Sequence, residues 1–387
     1  MDFRFADDVE DFRSTVRAFL GDVMADASRH SDPDDLTGLD EGFEREVHRQ
    51  AGARGWFGLE GDRRAVFECE IGRADAPLVD TATVLAGHAV MTFGSDELQA
   101  WLVPRMLAGD VEVCIAYTEE DAGSDLTRIE CRAVPHADGG WALSGRKTLV
   151  TGAHKAHWCL TVARTGDTTG RAGLTMFLVD MHAPGVNVER RPTMNGWTLD
   201  DVIFDSAEVP RAHVLGAVGE GWRQMAAAVT GERSGAFWLG FAHHVMDLIV
   251  DHVRKGAGRH DPVVRDLVAR CAVELADVDR LSRRALWAAR NGDERTLAPS
   301  IVYPAMVKLA ATELLQHLAQ AATEIAGTAG LLWASPFDPD PPPGSAAGGR
   351  FAWEYLERVH GTISVGANEL QRDAIARAGL GLPGRGT

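Results

Sequence analysis

The chain has 387 residues, 45% of them hydrophobic and 25% charged, and a formal net charge of −17. That length exceeds one ordinary core and predicts a globular protein of about two or three domains. The acidic balance repels phosphate backbones and argues against nucleic acid as a partner, while leaving room for a small anion in a local basic pocket.

The opening "MDFRFADDVEDFR" is charged and lacks an apolar h-region, so no signal peptide is expected. Residues 1–111 read as an N-terminal α-helical domain. In "VEDFRSTVRAFLGDVM", Val9, Phe12, Val16, Phe19 and Leu20 recur at steps of three and four, the stripe of an amphipathic helix. "FEREVHRQAGARGWFGL" and "DELQAWLVPRML" follow the same rule, with Asp96 as the expected N-cap of the latter.

Residues 112–216 change to short β-rich runs: "VCIAYTE", "CRAVPHADGGWALSG", "WCLTVART", "LTMFLVDM" and "VIFDSAEVP". Asp138-Gly139-Gly140 is a hairpin signal between two of them. Strands at this spacing predict a small barrel or sandwich.

Residues 217–387 predict a C-terminal helical bundle. "WRQMAAAVTGERSGAFWLGFAHHVMDLIVDHVRK" contains no proline and reads as one long helix. "PVVRDLVARCAVELADVDRLSRRALWAAR" and "PAMVKLAATELLQHLAQAATEIAG" give two more. "SPFDPDPPPGSAAGG" (335–349) cannot be helical, and "GLGLPG" reads as a disordered tail. His243 and Asp247 could share a helix face as a surface pair, and "RLSRRALWAAR" reads as a solvated basic face.

Cys69, Cys114, Cys131, Cys159 and Cys271 are scattered, with no CxxC spacing. No zinc site, other metal or disulfide framework is expected, and a reducing cytoplasm fits. No run approaches the ~18 apolar residues of a membrane span.

The strongest local signal is "AYTEEDAGSDLT" (116–127) followed by "GRKTLVTGAHKAHW" (145–158). Ala122-Gly123-Ser124 is a small-residue turn with Thr118 just before it at a strand end. Such a turn lets a flat ring or a phosphate approach the backbone, and its hydroxyls and free N–H groups can bond a ring edge. It reads equally as a barrel turn closed by an Asx-type bond from Asp125.

The two segments resemble the flavin signature of the acyl-CoA dehydrogenase family, roughly "TE-x-x-AGSD" and then "G-x-K-x-x-(I/V)-T-(N/G)". "FDSAEVP" (204–210) resembles the family's barrel-closing "F-x-x-V-x-VP", and "NELQRDAIAR" its C-terminal "NEIQR-x-x-IAR". The resemblance covers essentially the whole chain. It implies an α+β multidomain fold: N-terminal helical domain, middle β-barrel and C-terminal four-helix bundle. It also implies FAD between barrel and bundle, an acyl-CoA or acyl-carrier-protein thioester as substrate, and an electron-transfer flavoprotein as acceptor. The assembly it implies is a homo- or hetero-tetramer, a dimer of dimers. Carried over, Thr118, Gly123, Ser124 and Thr151 would line the flavin, with Ile115 and Tyr117 beside them and Glu369 reaching the adenosine half. Ser124, Arg233 and Val365 would face the thioester.

The departures matter as much. Many members place their catalytic glutamate in a "YEG" corner, and the match here is Ser364-Val365-Gly366, which cannot accept a proton. The next threonine is Ala367, and the indole beside the flavin falls on Leu149. Segments that clasp a neighbouring subunit's FAD correspond to "VRKGAGRHDP" and "EIAGTAG", where Glu324 replaces a glutamine and would oppose a pyrophosphate. A substitute base is Glu232, directly before Arg233, as in the isovaleryl-type branch. The same pair also reads as an ordinary helix-face ion pair. Three readings follow: a dehydrogenase using Glu232, a half-site subunit of a heteromeric enzyme of the sterol side-chain type, or a carrier-protein dehydrogenase or oxidase on the same fold.

Overall fold

The computed structural model describes residues 4–32, 38–78, 81–137, 139–230, 235–291 and 299–384. Glu232 and Arg233, and Asp138 of the hairpin signal, lie outside the described residues.

The N-terminal region holds α1 (Asp7–Asp26), α2 (Glu41–Ala53), α3 (Gly61–Ala74), α4 (Thr81–Phe93) and α5 (Asp96–Leu107). Val9, Val16, Phe19 and Leu20 of α1 are buried as their spacing requires. Asp7, Asp8 and Glu10 in its first turn complement the helix dipole. The cap of α5 is Ser95 rather than Asp96: its hydroxyl accepts from Leu98 N at 3.2 Å, and Asp96 is already the first helical residue. α3 crosses α7 (Ala236–Lys255) at paired glycines. A Cβ on Gly72 would sit 2.5 Å from Phe237 O, and one on Gly240 would sit 2.2 Å from Cys69 O, so only glycine allows this approach.

The middle region is one eight-stranded sheet. Its strands are β1 (Val113–Ala116), β2 (Arg132–Pro135), β3 (Trp141–Val150), β4 (Trp158–Thr165), β5 (Leu174–Asp180), β6 (Val186–Pro192), β7 (Thr198–Val209) and β8 (Val214–Leu215). The order is β6-β7-β3-β2-β4-β5-β8, with β1 pairing β4 in parallel. The β2–β3 hairpin turns where Gly139 and Gly140 predict it: Gly139 has φ +87°, and His136 N donates to Gly140 O at 2.8 Å. β4 and β5 bury nearly every residue, which explains why they read as continuous apolar runs rather than alternating ones.

The C-terminal region contains α6 (Gly221–Thr230), α7, α8 (Pro262–Asn291), α9 (Pro299–Ala326), α10 (Arg350–Glu357) and α11 (Asn368–Ala374). Trp238, Phe241, Val245 and Ile249 of α7 pack with Leu275, Leu315, Leu318 and Phe351 in the bundle core. The single helix expected over 222–255 is two, α6 and α7. Gly235, left-handed at φ +65°, precedes α7, and the absence of proline gave no warning of it. His243 and Asp247 part company: His243 faces Asp279 at 3.4 Å and Asp247 pairs with Arg73 at 2.8 Å. The basic stretch of α8 is not simply solvated. Arg283 lies 5.2 Å over the Phe5 ring, Arg284 lies 5.4 Å over Tyr303, and Arg290 pairs with Asp62. Residues 347–349 turn through left-handed backbone after the proline run, with φ +47° at Ala347, +65° at Gly348 and +83° at Gly349, so the segment is not helical. The "GLGLPG" stretch is bonded back onto the preceding turn, with Gly381 N on Arg377 O (3.1 Å) and Leu382 N on Ala376 O (3.0 Å).

Candidate functional site

β1 ends at Ala116, and the chain then folds into a tight turn. Glu119 and Ala122 exchange both backbone bonds, N to O, at 3.0 and 3.1 Å. Beneath the turn lies Lys147 of β3, fully buried. Its ammonium donates to Glu119 Oε1 (2.7 Å), Val162 O (2.8 Å) and Tyr117 O (3.3 Å). The Glu119 carboxylate also accepts from Glu130 N (2.7 Å) and Cys131 N (3.0 Å). A buried ion pair is tolerated when its remaining donors and acceptors are met, and here they are. Thr148 N donates to Thr118 O at 2.9 Å, which lays the end of β3 along the turn. Asp125 closes the far side as an Asx turn, its Oδ1 accepting from Thr127 N (3.1 Å) and Thr127 Oγ1 (2.6 Å). Those bonds hold the Asp125 carboxyl below its ordinary value.

What the turn leaves open is as informative. Gly123 and Ser124 are exposed, and a Cβ on Gly123 would meet nothing within 4 Å. Their N–H groups donate to no other group among the described residues. Leu149, left-handed at φ +57°, is 55% exposed, and Thr151 is exposed just past β3. Ile115 and Tyr117 pack on the sheet core, and burial raises the Tyr117 phenol. The set offers backbone donors, two threonines and an apolar side chain around an open backbone stretch, which suits the edge and face of a planar ring such as a flavin.

The second set stands on the bundle. Val365 has φ +53° and is 42% exposed. A β-branched residue held left-handed costs about 1–2 kcal/mol. The corner persists because its surroundings fix it. Gly366 O accepts from Lys308 Nζ (3.0 Å) and from Gln371 Nε2 (2.9 Å), and His360 O accepts from Ile363 N (2.8 Å) and Ser364 N (2.9 Å). The Lys308 ammonium also donates to Asn368 Oδ1 at 2.8 Å. Glu369 is exposed in the first turn of α11. Glu324 is exposed on α9 and accepts from Gln320 Nε2 at 2.8 Å.

The two sets are linked by the tip of the β6–β7 hairpin. Asn195 Nδ2 donates to the buried Glu357 carboxylate of α10, and Trp197 lies 6.3 Å from Trp353.

Three family models, the N-terminal, middle and C-terminal domains of acyl-CoA dehydrogenase, match residues 6–110, 114–207 and 219–380 in order. The chain belongs to the acyl-CoA dehydrogenase family. Among its relatives, acyl-CoA dehydrogenase IpdE1 of Mycobacterium tuberculosis (strain ATCC 25618 / H37Rv) is 31% identical over 97% of this chain and 98% of its own. Two solved structures share the fold. "Tcur3481-Tcur3483 steroid ACAD" has a TM-score of 0.87 at 24% identity, covering 99% of this chain and 100% of its own. "PigA with FAD and proline" has a TM-score of 0.83 at 22% identity, with the same coverage of both chains. Family and fold make this acyl-CoA dehydrogenase a flavin-type oxidoreductase, built as the sequence implied from helical, β and helical regions.

Of the residues singled out in the sequence, Ile115, Tyr117, Thr118, Gly123, Ser124, Leu149 and Thr151 gather around one turn of this acyl-CoA dehydrogenase fold. Val365 and Glu369 share the α10–α11 end of the bundle. Sequence reasoning missed the supports: Lys147, Glu119, Lys308, Asn195 and Glu357. A charged residue inside a β-rich run was the available signal for Lys147. Nothing local marks Asn195 and Glu357, which are 162 positions apart.

Proposed function

We propose that this chain carries out FAD-dependent α,β-dehydrogenation of an acyl thioester, with Glu232 as the base. The observation that carries the reading is the contrast between the two residue sets. The barrel-side turn keeps its donors open, while the bundle corner presents Val365, which has no proton-accepting atom.

Bound FAD would supply the hydride acceptor. Gly123 and Ser124 N–H, with Thr118 and Thr151, would bind and orient the flavin edge, and Glu369 would reach toward its adenosine half. Leu149 and Val365 would cover the ring and exclude water from it. Ser124 and Arg233 would hold the thioester. Glu232 would take the α-proton onto its carboxylate; contact with a bound flavin and acyl chain would favour its neutral form, and the adjacent Arg233 charge would favour its ionised form. Electrons would pass to an electron-transfer flavoprotein. The Glu232→Gln variant is expected to keep its flavin and lose ~10²–10⁴-fold in turnover. Normal turnover in that variant would remove Glu232 from the mechanism.

A second reading is supported by Val365 itself: a half-site chain whose partner supplies the base. The solved steroid ACAD is named as a pair, Tcur3481-Tcur3483, which accords with such an arrangement. Co-purification from the host with flavin counted per chain separates the two. A yellow homo-oligomer active alone supports the first, and a colourless chain that turns yellow only with a homologous partner supports the second.

A further inference from the structure

We propose that Asp200 and Asp201, adjacent acids of β7, form a clamp that holds the Leu149–Thr151 segment in the shape that receives the flavin. The inference rests on the flavin reading and adds the positioning residues on which that side of the site depends.

The segment is a bulge with an unfavourable backbone. β3 and β7 run antiparallel, with Lys147 opposite Val202 and Val150 opposite Asp200. β3 therefore places two residues, Thr148 and Leu149, where β7 places Asp201 alone, the count of a β-bulge. Leu149 takes up the extra length at φ +57°. A residue other than glycine keeps a left-handed backbone only where its surroundings impose it. Just beyond, Gly152 is left-handed at φ +66°. Gly152 O accepts from Lys155 N (3.3 Å) and Ala156 N (3.1 Å), which reverses the chain after Thr151.

The two acids grip either end of this stretch. Asp201 Oδ1 accepts from Thr148 Oγ1 at 2.7 Å, and its Oδ2 accepts from Arg146 Nη1 at 2.6 Å and from Arg191. Asp200 Oδ2 accepts from both His154 N (2.9 Å) and His154 Nδ1 (2.7 Å). Successive strand residues face opposite sides of a sheet, so the grips come from opposite faces. Both acids are buried, whereas Leu149 and Thr151, between the anchor points, are exposed. Thr148 N also donates to Thr118 O, so fixing the bulge fixes its seat on the Thr118 turn. The sheet itself does not require an acid at position 200. Asp200 Oδ1 is buried with no partner among the described residues, a penalty that an apolar side chain would avoid. The other oxygen bonds His154, and through it the turn that carries Thr151. Without the clamp the segment would sample other shapes, and apparent affinity falls in proportion to the fraction that stays competent.

The test uses the full chain and two readouts. One is amide hydrogen exchange across residues 148–155 without FAD; the other is FAD titration followed by fluorescence and visible circular dichroism. Asp200→Ala should speed exchange at 151–154 and weaken FAD about tenfold, as expected when the competent fraction falls to about a tenth. It should also change the circular dichroism of bound FAD, which reports how the ring is seated. Asp200→Asn keeps an acceptor for His154 N and should restore part of each effect. Thr148→Val releases the other end and should act in the same direction. Asp266→Asn, at an exposed ion pair on α8, should change nothing. Thermal melting confirms that each variant is folded; where Asp200→Ala is not, Asp200→Asn and Thr148→Val decide. Unchanged exchange overturns the proposal, and so does faster exchange with FAD affinity and circular dichroism unaltered. A parent chain that binds no FAD refutes the flavin reading instead, and faster exchange in its Asp200→Ala variant still establishes the clamp.

Discussion

The two parts of the candidate site, a barrel wall at the Thr118–Ser124 turn and a bundle wall at the Val365 corner, are built on different principles. The barrel wall is locked from beneath. A buried ammonium and carboxylate tie the Thr118–Ser124 turn to β3 and β4, and the bonds that do so lie within the one sheet and its loops. The bundle wall is locked from several directions at once. Lys308 of α9, Gln371 of α11 and His360 each hold the Val365 corner, and its grip on the barrel runs through the Asn195–Glu357 contact. The barrel wall keeps a short motif intact. The bundle wall keeps a left-handed backbone shape and presents Val365, which has no proton-accepting atom. Backbone geometry and side-chain chemistry are therefore set separately: the bonds to Gly366 O and His360 O hold the corner left-handed while its side chain is valine.

The sharpest way to break the barrel wall is Lys147→Met. It strands the Glu119 carboxylate inside the sheet and should cost about 3–5 kcal/mol in urea unfolding. The double variant with Glu119→Gln should recover part of that loss. If the single variant unfolds within ~1 kcal/mol of the parent, the pair is not what holds the turn.

Next in size is the strap between the walls. Asn195→Ala removes a donor to a buried carboxylate and should lower stability by about 1.5–3 kcal/mol. It should also shift Trp197 and Trp353 fluorescence, which a loss confined to the sheet would leave in place. At the corner itself, Val365→Gly should raise the melting temperature slightly. Relief of left-handed strain worth about 1–2 kcal/mol outweighs the added freedom of glycine when unfolded, about 0.5–1 kcal/mol. A drop would show that the Val365 side chain contributes packing of its own.

The smallest effect expected is a pH dependence from His360 on the bundle side. Burial opposes a charge on His360, but its bonds to Glu357 outweigh burial and raise it above its ordinary 6.5. The charged groups around it are Glu357, which favours the imidazolium, and Arg358, which opposes it. Arg358 is itself bonded to Glu354 at 2.6 Å. Trp238 of α7 and Gly361, which abuts Thr312 of α9, add no charge. A raised value means that the stabilisation is complete below 6.5 and is lost as pH rises through the higher folded value. Melting temperature should therefore fall across that range in the parent and stay flat in His360→Gln. Parallel slopes in the two proteins would assign the titration elsewhere.

Much of this was open to reading in the chain itself, because it depends on local rules. The three-and-four spacing of Val16, Phe19 and Leu20 buries one helix face whatever else the protein does. Gly139-Gly140 turns a hairpin, Asp125 closes an Asx turn, and Ala122-Gly123-Ser124 leaves backbone exposed, each from conformational freedom within a few residues. The family could be recognised because those short motifs recur in order along the chain. Only the tertiary structure decided that Lys147 is buried rather than solvated and that α6 and α7 are separate helices. It also decided that Asn195 meets Glu357 and that Arg164 ties the Thr127–Ile129 stretch to the loop at Thr168. The physical reason is common to all of these. A long side chain's partners are chosen by the packing of segments tens to hundreds of residues apart, and the energy of a buried charge depends on partners that no local window contains.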